Sequence, residues 1–144
     1  MRLRFPDEAI VVFEDRAERR WLRLLPHGFR HCFCVLRRGA RWVVVDPLLH
    51  RLHVESLCLP ADFPLARFLA TAAPGRRVLV GPIGDGRPIR RPWCGKSCVI
   101  AVKRMIRLDA PATLTPRALY RTLRRLGWSE PKLLDNIPLT RLSS

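Results

Sequence analysis

The sequence predicts an α+β domain: an antiparallel sheet of about four to five strands packed against a helix that opens on a cysteine. Three observations predict it. Short runs rich in Val, Ile, Phe, Cys and Trp crowd the first half of the chain, bounded by Gly and Pro. Two of these runs flank Arg37-Arg38-Gly39-Ala40, a hairpin pattern with Gly at the turn. Two stretches near the C-terminal end carry helix start and stop signals.

Taken in order, Ala9 to Glu14 is a β-branched apolar run and reads as a strand. From Asp15 to Leu25 the apolar positions suit a short helix or amphipathic turn, ended by Pro26 and Gly28. Phe29–Leu36 and Arg41–Asp46 are the two arms of the hairpin, and Pro47 closes the second. Arg51 to Leu57 alternates cleanly, a third sheet strand. Asp62 to Ala72 reads as a helix with Pro64 in its first turn and Leu65, Phe68 and Leu69 on one face. Arg77 to Gly81 is a further strand, and Gly84 to Pro92 is a loop by composition. Ser97 to Arg107 reads as a helix whose bases gather at its C-terminal end, where they complement the helix dipole. A last helix opens at Thr115-Pro116, Thr as N-cap and Pro at the first position, and stops at Gly127. Residues 128–144 read as a polar or extended tail.

With 144 residues and no internal repeat, the chain is expected to be one domain spanning 1–144. No apolar run approaches the ~18–20 residues of a membrane span. The start lacks the apolar stretch of a secretory signal, so a cytoplasmic location in the cell is expected, unless the chain is built into a larger particle. Five cysteines at irregular spacing then argue for reduced thiols over a disulfide framework. Charge is the unusual property. Twenty-seven basic residues against twelve acidic ones give +15. Only Lys96, Lys103 and Lys132 are lysines, a preference that codon bias explains. Codon bias does not explain basic over acidic, and a polyanion such as nucleic acid is the partner class this charge suits.

The hairpin carries the first candidate chemistry. With Arg38-Gly39 as the central turn residues, His31 faces Asp46, Phe33 faces Val44 and Val35 faces Trp42. Directly opposed side chains have Cβ atoms ~4.5–5.5 Å apart. A carboxylate so placed accepts from one imidazole nitrogen and leaves the other free. Cys98 stands at the start of a helix, where unpaired amides and the dipole lower a thiol's pKa and can stabilise an oxyanion. A thiolate facing a histidine that is itself oriented by an acid is the logic of an activated nucleophile. Each residue also has a structural reading: Cys98 on an apolar helix face and His31 among Cys32, Phe33 and Cys34 both suit a core.

The order of these residues resembles the papain-like fold in its circularly permuted form, as in relatives of the NlpC/P60 group. The match rests on His31 in Gly28-Phe-Arg-His-Cys-Phe33, Asp46 in Val45-Asp-Pro47 and Cys98 in Lys96-Ser-Cys-Val99. The run Cys94-Gly-Lys-Ser-Cys98 is similar to the papain nucleophile turn with one extra residue. The resemblance covers roughly residues 28–126. It implies a cysteine hydrolase of peptide or amide bonds with Cys98 as nucleophile, His31 as general base and Asp46 as orienting group. Trp93 and Arg91 would border the cleft, with no cofactor or metal. No Gln precedes Cys98 where papain relatives place an oxyanion donor. Cys98-Val-x-x-Val-Lys-Arg104, followed by Thr115-Pro-x-x-Leu-Tyr120, also resembles small proteins of tailed phages and prophages, which would make the chain a virion component with phage structural proteins as partners.

The residues admit two other readings. The histidines and cysteines offer zinc ligands, but no pair has CxxC spacing, so no metal site is predicted. The paired arginines at turns and helix ends (Arg37 and Arg38, Arg76 and Arg77, Arg90 and Arg91, Arg124 and Arg125) are the candidate polyanion contacts, through phosphates and not bases.

Overall fold

The computed structural model describes residues 8–16, 23–48, 50–60, 62–84 and 97–132. Five strands form one antiparallel sheet: β1 (Glu8–Glu14), β2 (His31–Arg38), β3 (Arg41–Pro47), β4 (Leu52–Cys58) and β5 (Arg77–Pro82). Their order is β4-β3-β2-β1-β5. Three helices complete the domain: α1 (Leu65–Thr71), α2 (Cys98–Met105) and α3 (Pro116–Arg125). The predicted class is the observed one.

Helices cover both faces of the sheet. On one face Val11, Phe13, Cys32, Cys34 and Leu79 pack with Val99 and Val102 of α2 and Leu119 and Leu123 of α3. On the other Ile10, Val12, Phe33, Val35 and Val78 pack with Leu65 and neighbouring residues of α1. This explains why Ala9–Phe13 is apolar without a break: β1 is central, and both sides of it are buried. β4 is an edge strand, exposed along most of its length.

The hairpin register differs from the expected one. Arg38 pairs with Arg41, Leu36 with Val43 and Cys34 with Val45, so Gly39 and Ala40 are the central residues. Gly39 has φ +59° and takes the first central position, where a two-residue hairpin of the II′ kind requires glycine. The shift is two residues, which keeps every side chain on its expected face. It does remove the direct opposition of His31 and Asp46.

Helix boundaries moved for local reasons. Pro64 is the N-cap of α1 and not within its first turn, because a residue before proline avoids helical backbone and the chain turns at Phe63. Phe68 points outward, 55% exposed, against Phe63. In α3, Thr115 Oγ1 accepts from the Ala118 amide and Pro116 opens the first turn, as the pattern predicts. At its other end Gly127, φ +93°, reverses the chain: the Trp128 amide donates to the Leu123 carbonyl and the Gly127 amide to that of Arg124. That turn lays Trp128 on the sheet, 5% exposed, and Ser129 pairs with Val80. The segment expected to be a tail from residue 128 therefore begins as part of the core. Residues 17–22, which include most of the helix expected between 15 and 25, lie outside the described residues, as do 133–144.

Candidate functional site

The ladder between β2 and β3 ends at Cys34 and Val45. Beyond it the strands part company: β2 stays paired with β1 to His31 opposite Glu14, while β3 stays paired with β4 to Pro47 opposite Leu52. His31 is the first residue of β2, and Asp46 lies on β3 past the last β2–β3 pair. Their side chains meet across the opening, with Nε2 of His31 2.7 Å from Oδ1 of Asp46. The chain enters this strand through Gly28, whose φ is +81° and whose amide donates to Asp15, and through the Arg30 amide, which donates to the Glu14 carbonyl at 3.1 Å.

The α2 helix brings the third group. Ser97 is its extended N-cap residue, and the Ala101 amide donates to the Ser97 carbonyl at 3.1 Å. Cys98 is therefore the first helical residue, packed half-buried against the cluster that holds Cys32. Its sulfur hydrogen-bonds the side chains of both His31 and Cys32 and receives the Cys32 backbone amide. Since Nε2 of His31 is engaged by Asp46, Nδ1 is the ring nitrogen left for the thiol. The structure thus brings together the three residues singled out in the sequence, through a route other than direct cross-strand pairing.

The electrostatics follow from these contacts. The Cys98 thiol is driven down to about 5, first by the hydrogen bond from Cys32, against the opposing effect of burial, and further by the His31 hydrogen bond and charge. Burial alone would lower His31, but the hydrogen bonds to Asp46 and Cys98 and their charges raise it to about 9. Burial would raise Asp46; His31 and Arg16 together hold it below its ordinary value. Cys32 is wholly buried and its thiol is pushed well up. At neutral pH the arrangement is a thiolate beside an imidazolium, with a neutral thiol donating to the sulfur.

No protein-family model, curated protein or solved structure matches this chain.

Three contributors escaped the sequence reading. Arg16, just past β1, donates from Nη2 to Oδ2 of Asp46 at 2.7 Å. Glu14 holds Arg16 at 3.2 Å and Arg76 at 2.9 Å. Charges therefore alternate along one line: Cys98, His31, Asp46, Arg16, Glu14, Arg76. Cys32 is the third, one residue from His31 yet on the face beneath α2. No local signal marks Arg16 or Glu14, since the link to Asp46 depends on where β2 separates from β3. Cys32 was legible only as a strand residue facing opposite to His31.

The other candidates fall in different places. Trp93, Arg90 and Arg91 lie outside the described residues. Arg76 is turned inward, its side chain 17% exposed, bound to Glu14 and the Leu69 carbonyl and lying over the Phe33 ring. It braces the sheet and is not a surface contact. Arg37 lies over Trp42 and 3.6 Å from Glu8, and Arg77 lies over Phe29 and Tyr120. Arg38, Arg124 and Arg125 are exposed. Among the described residues, no three His, Cys, Asp or Glu side chains are arranged to hold a metal ion, and no helix is long and apolar enough to cross a membrane.

Proposed function

We propose that the protein is a cysteine-dependent hydrolase of peptide or amide bonds. One observation carries the reading: Cys98, His31 and Asp46 form a continuous hydrogen-bonded series in which the thiol is depressed to about 5 and the imidazole raised to about 9. A buried structural cysteine has its pKa raised, as Cys34 does, pushed up to about 12. Cys98 moves the other way.

In this reading the Cys98 thiolate attacks the substrate carbonyl. The Cys98 and Val99 amides, in the unpaired first turn of α2, face the developing oxyanion and take the role that Gln fills in papain relatives. The His31 imidazolium protonates the leaving amine and, now neutral, draws a proton from the water that releases the acyl group. Asp46, with Oδ2 held by Arg16, keeps Oδ1 on His31 throughout. The resemblance to permuted papain-like proteins of the NlpC/P60 group supports the same roles, and the phage-like pattern around Cys98 supports a phage-encoded setting, in the host cytoplasm or the particle.

The test uses p-nitrophenyl acetate. The expected result is a burst of nitrophenolate equivalent to the enzyme, an acetyl adduct on Cys98 and steady turnover after the burst. C98A should abolish all three. Labelling spread over several cysteines, or a burst with no turnover, would defeat the reading.

A second reading has its own observation. Arg117, Arg121, Arg124 and Arg125 project from one face of α3, opposite Leu119 and Leu123. Arg117, Arg121 and Arg125 also line an open cavity of about 340 Å³ and make no ion pair among the described residues. Such a row suits the phosphates of a nucleic acid, as a non-catalytic basic component of a phage particle would require. R117A/R121A/R125A would then lower DNA affinity and reduce its salt dependence, with ester turnover unchanged.

A further inference from the structure

We propose that Cys32 and Cys98 are a redox-active pair: a hydroperoxide oxidises Cys98, and Cys32 resolves it into a reversible disulfide between β2 and α2. The inference uses the thiol that the hydrolase reading uses but needs no hydrolysis.

The placement of the two sulfurs carries it. Cys32 is 0% exposed, packed in the cluster beneath α2, while Cys98 is only partly buried at the first turn of that helix. Their side chains are hydrogen-bonded to one another. Cys98 is thus the more accessible of the two, and Cys32 lies behind it, enclosed by the core. The remaining described cysteines are placed otherwise: Cys34 lies two residues further along the buried face of β2, and Cys58 is exposed on β4. A thiolate that is accessible and sits beside a second thiol has the usual arrangement of a redox-responsive cysteine.

The chemistry balances. The Cys98 thiolate attacks the distal oxygen of the hydroperoxide, an S–O bond forms, the O–O bond breaks, and the departing alkoxide or hydroxide takes the proton of the His31 imidazolium. Cys98 is then a sulfenic acid. The Cys32 sulfur attacks the Cys98 sulfur, the S–S bond forms, the S–O bond breaks, and hydroxide leaves with the Cys32 proton as water. Two thiol sulfurs are oxidised and the hydroperoxide is reduced by two electrons. The product has no free Cys98 sulfur, so the oxidised protein takes no acyl group until a thiol reductant restores it.

The experiment treats the reduced full chain with a few equivalents of hydrogen peroxide, blocks remaining thiols with N-ethylmaleimide after unfolding, and maps the peptides. Fragmentation must separate Cys32 from Cys34, which share the tryptic segment His31–Arg37. The expected result is loss of two of the five thiols into one Cys32–Cys98 disulfide, reversed by dithiothreitol, with Cys98 in C32S going on to sulfinic acid instead. Sulfinic acid on Cys98 of the wild type with Cys32 still alkylated would overturn the proposal. So would a disulfide from Cys98 to Cys94, to Cys34 or to a second chain. The wild-type map decides even if C32S does not fold. Turnover of p-nitrophenyl acetate by the reduced protein reports on the hydrolase reading alone, so either can fail without the other.

Discussion

Arg16 reaches past the open end of β2 to hold Oδ2 of Asp46 at 2.7 Å, which leaves Oδ1 as the partner of His31. A carboxylate bound at both oxygens keeps its charge and its orientation. The imidazolium of His31 depends on that charge. Replacing Arg16 by Gln should let the Asp46 carboxyl rise and, because that carboxylate is still ionised near pH 9 and a neighbouring cation is gone, let His31 rise from about 9. Imidazole NMR titration reads the second change directly. A His31 midpoint identical to wild type would show that Arg16 only covers the strand end.

The pH dependence has two separable limbs. Cys98 loses its proton at about 5, so its alkylation by iodoacetamide should rise through that pH and stay high as pH increases further. His31 loses its proton at about 9, so turnover of an amide substrate, whose leaving amine needs that proton, should rise with alkylation and then fall above about 9. Because the two groups are coupled, these are midpoints of the pair. Alkylation with a midpoint near the ordinary thiol value would remove the ion pair.

His31→Ala tests the pairing by a change of sign. Returning the thiol to an ordinary pKa of ~8.5 cuts the thiolate fraction at pH 6 by roughly 300-fold. The more basic thiolate is intrinsically more nucleophilic, by about 40-fold at a Brønsted slope of ~0.45. The variant should therefore be alkylated about tenfold more slowly at pH 6 and faster than wild type near pH 10. The Cys32 hydrogen bond, which remains, makes these figures upper bounds. Parallel rate curves with no crossing would count against His31 as the ionic partner.

Trp128 lies directly on Gly81. A Cβ added there would stand 2.2 Å from the indole ring. Gly81→Ala forces Trp128 off the sheet and should cost about 1–3 kcal/mol. Thermal unfolding would show it as a midpoint several degrees lower, with the thiol chemistry of Cys98 unchanged in the folded protein. An unaltered midpoint would mean that the segment from 128 does not contribute to the core.

Lys103 is buried on α2, and its ammonium donates to the carbonyls of Ala110 at 2.9 Å and Thr113 at 2.8 Å, tying the turn before α3 to α2. Lys103→Met keeps the stem and orphans those carbonyls. Urea unfolding should show a loss of about 1–3 kcal/mol, since buried acceptors left without donors cost that much. A loss near zero would mean that water replaces the ammonium freely.

Much of this protein was legible in the chain. The strand runs, the Thr115-Pro116 opening of α3, its Gly127 stop and the position of Cys98 at a helix start all follow from local rules, because steric preference, capping and apolar periodicity act over a few neighbouring residues. His31, Asp46 and Cys98 could be named for the same reason: each residue type stood in a recognisable local setting. What only the tertiary structure decided is how they meet. Gly39 at the first turn position moved the hairpin by two residues, and the parting of β2 from β3 then let Arg16 reach Asp46 and set Cys32 against Cys98. Those contacts join residues far apart in the chain, and their formation depends on strand separation and on the seating of α2, quantities that no short window of sequence encodes.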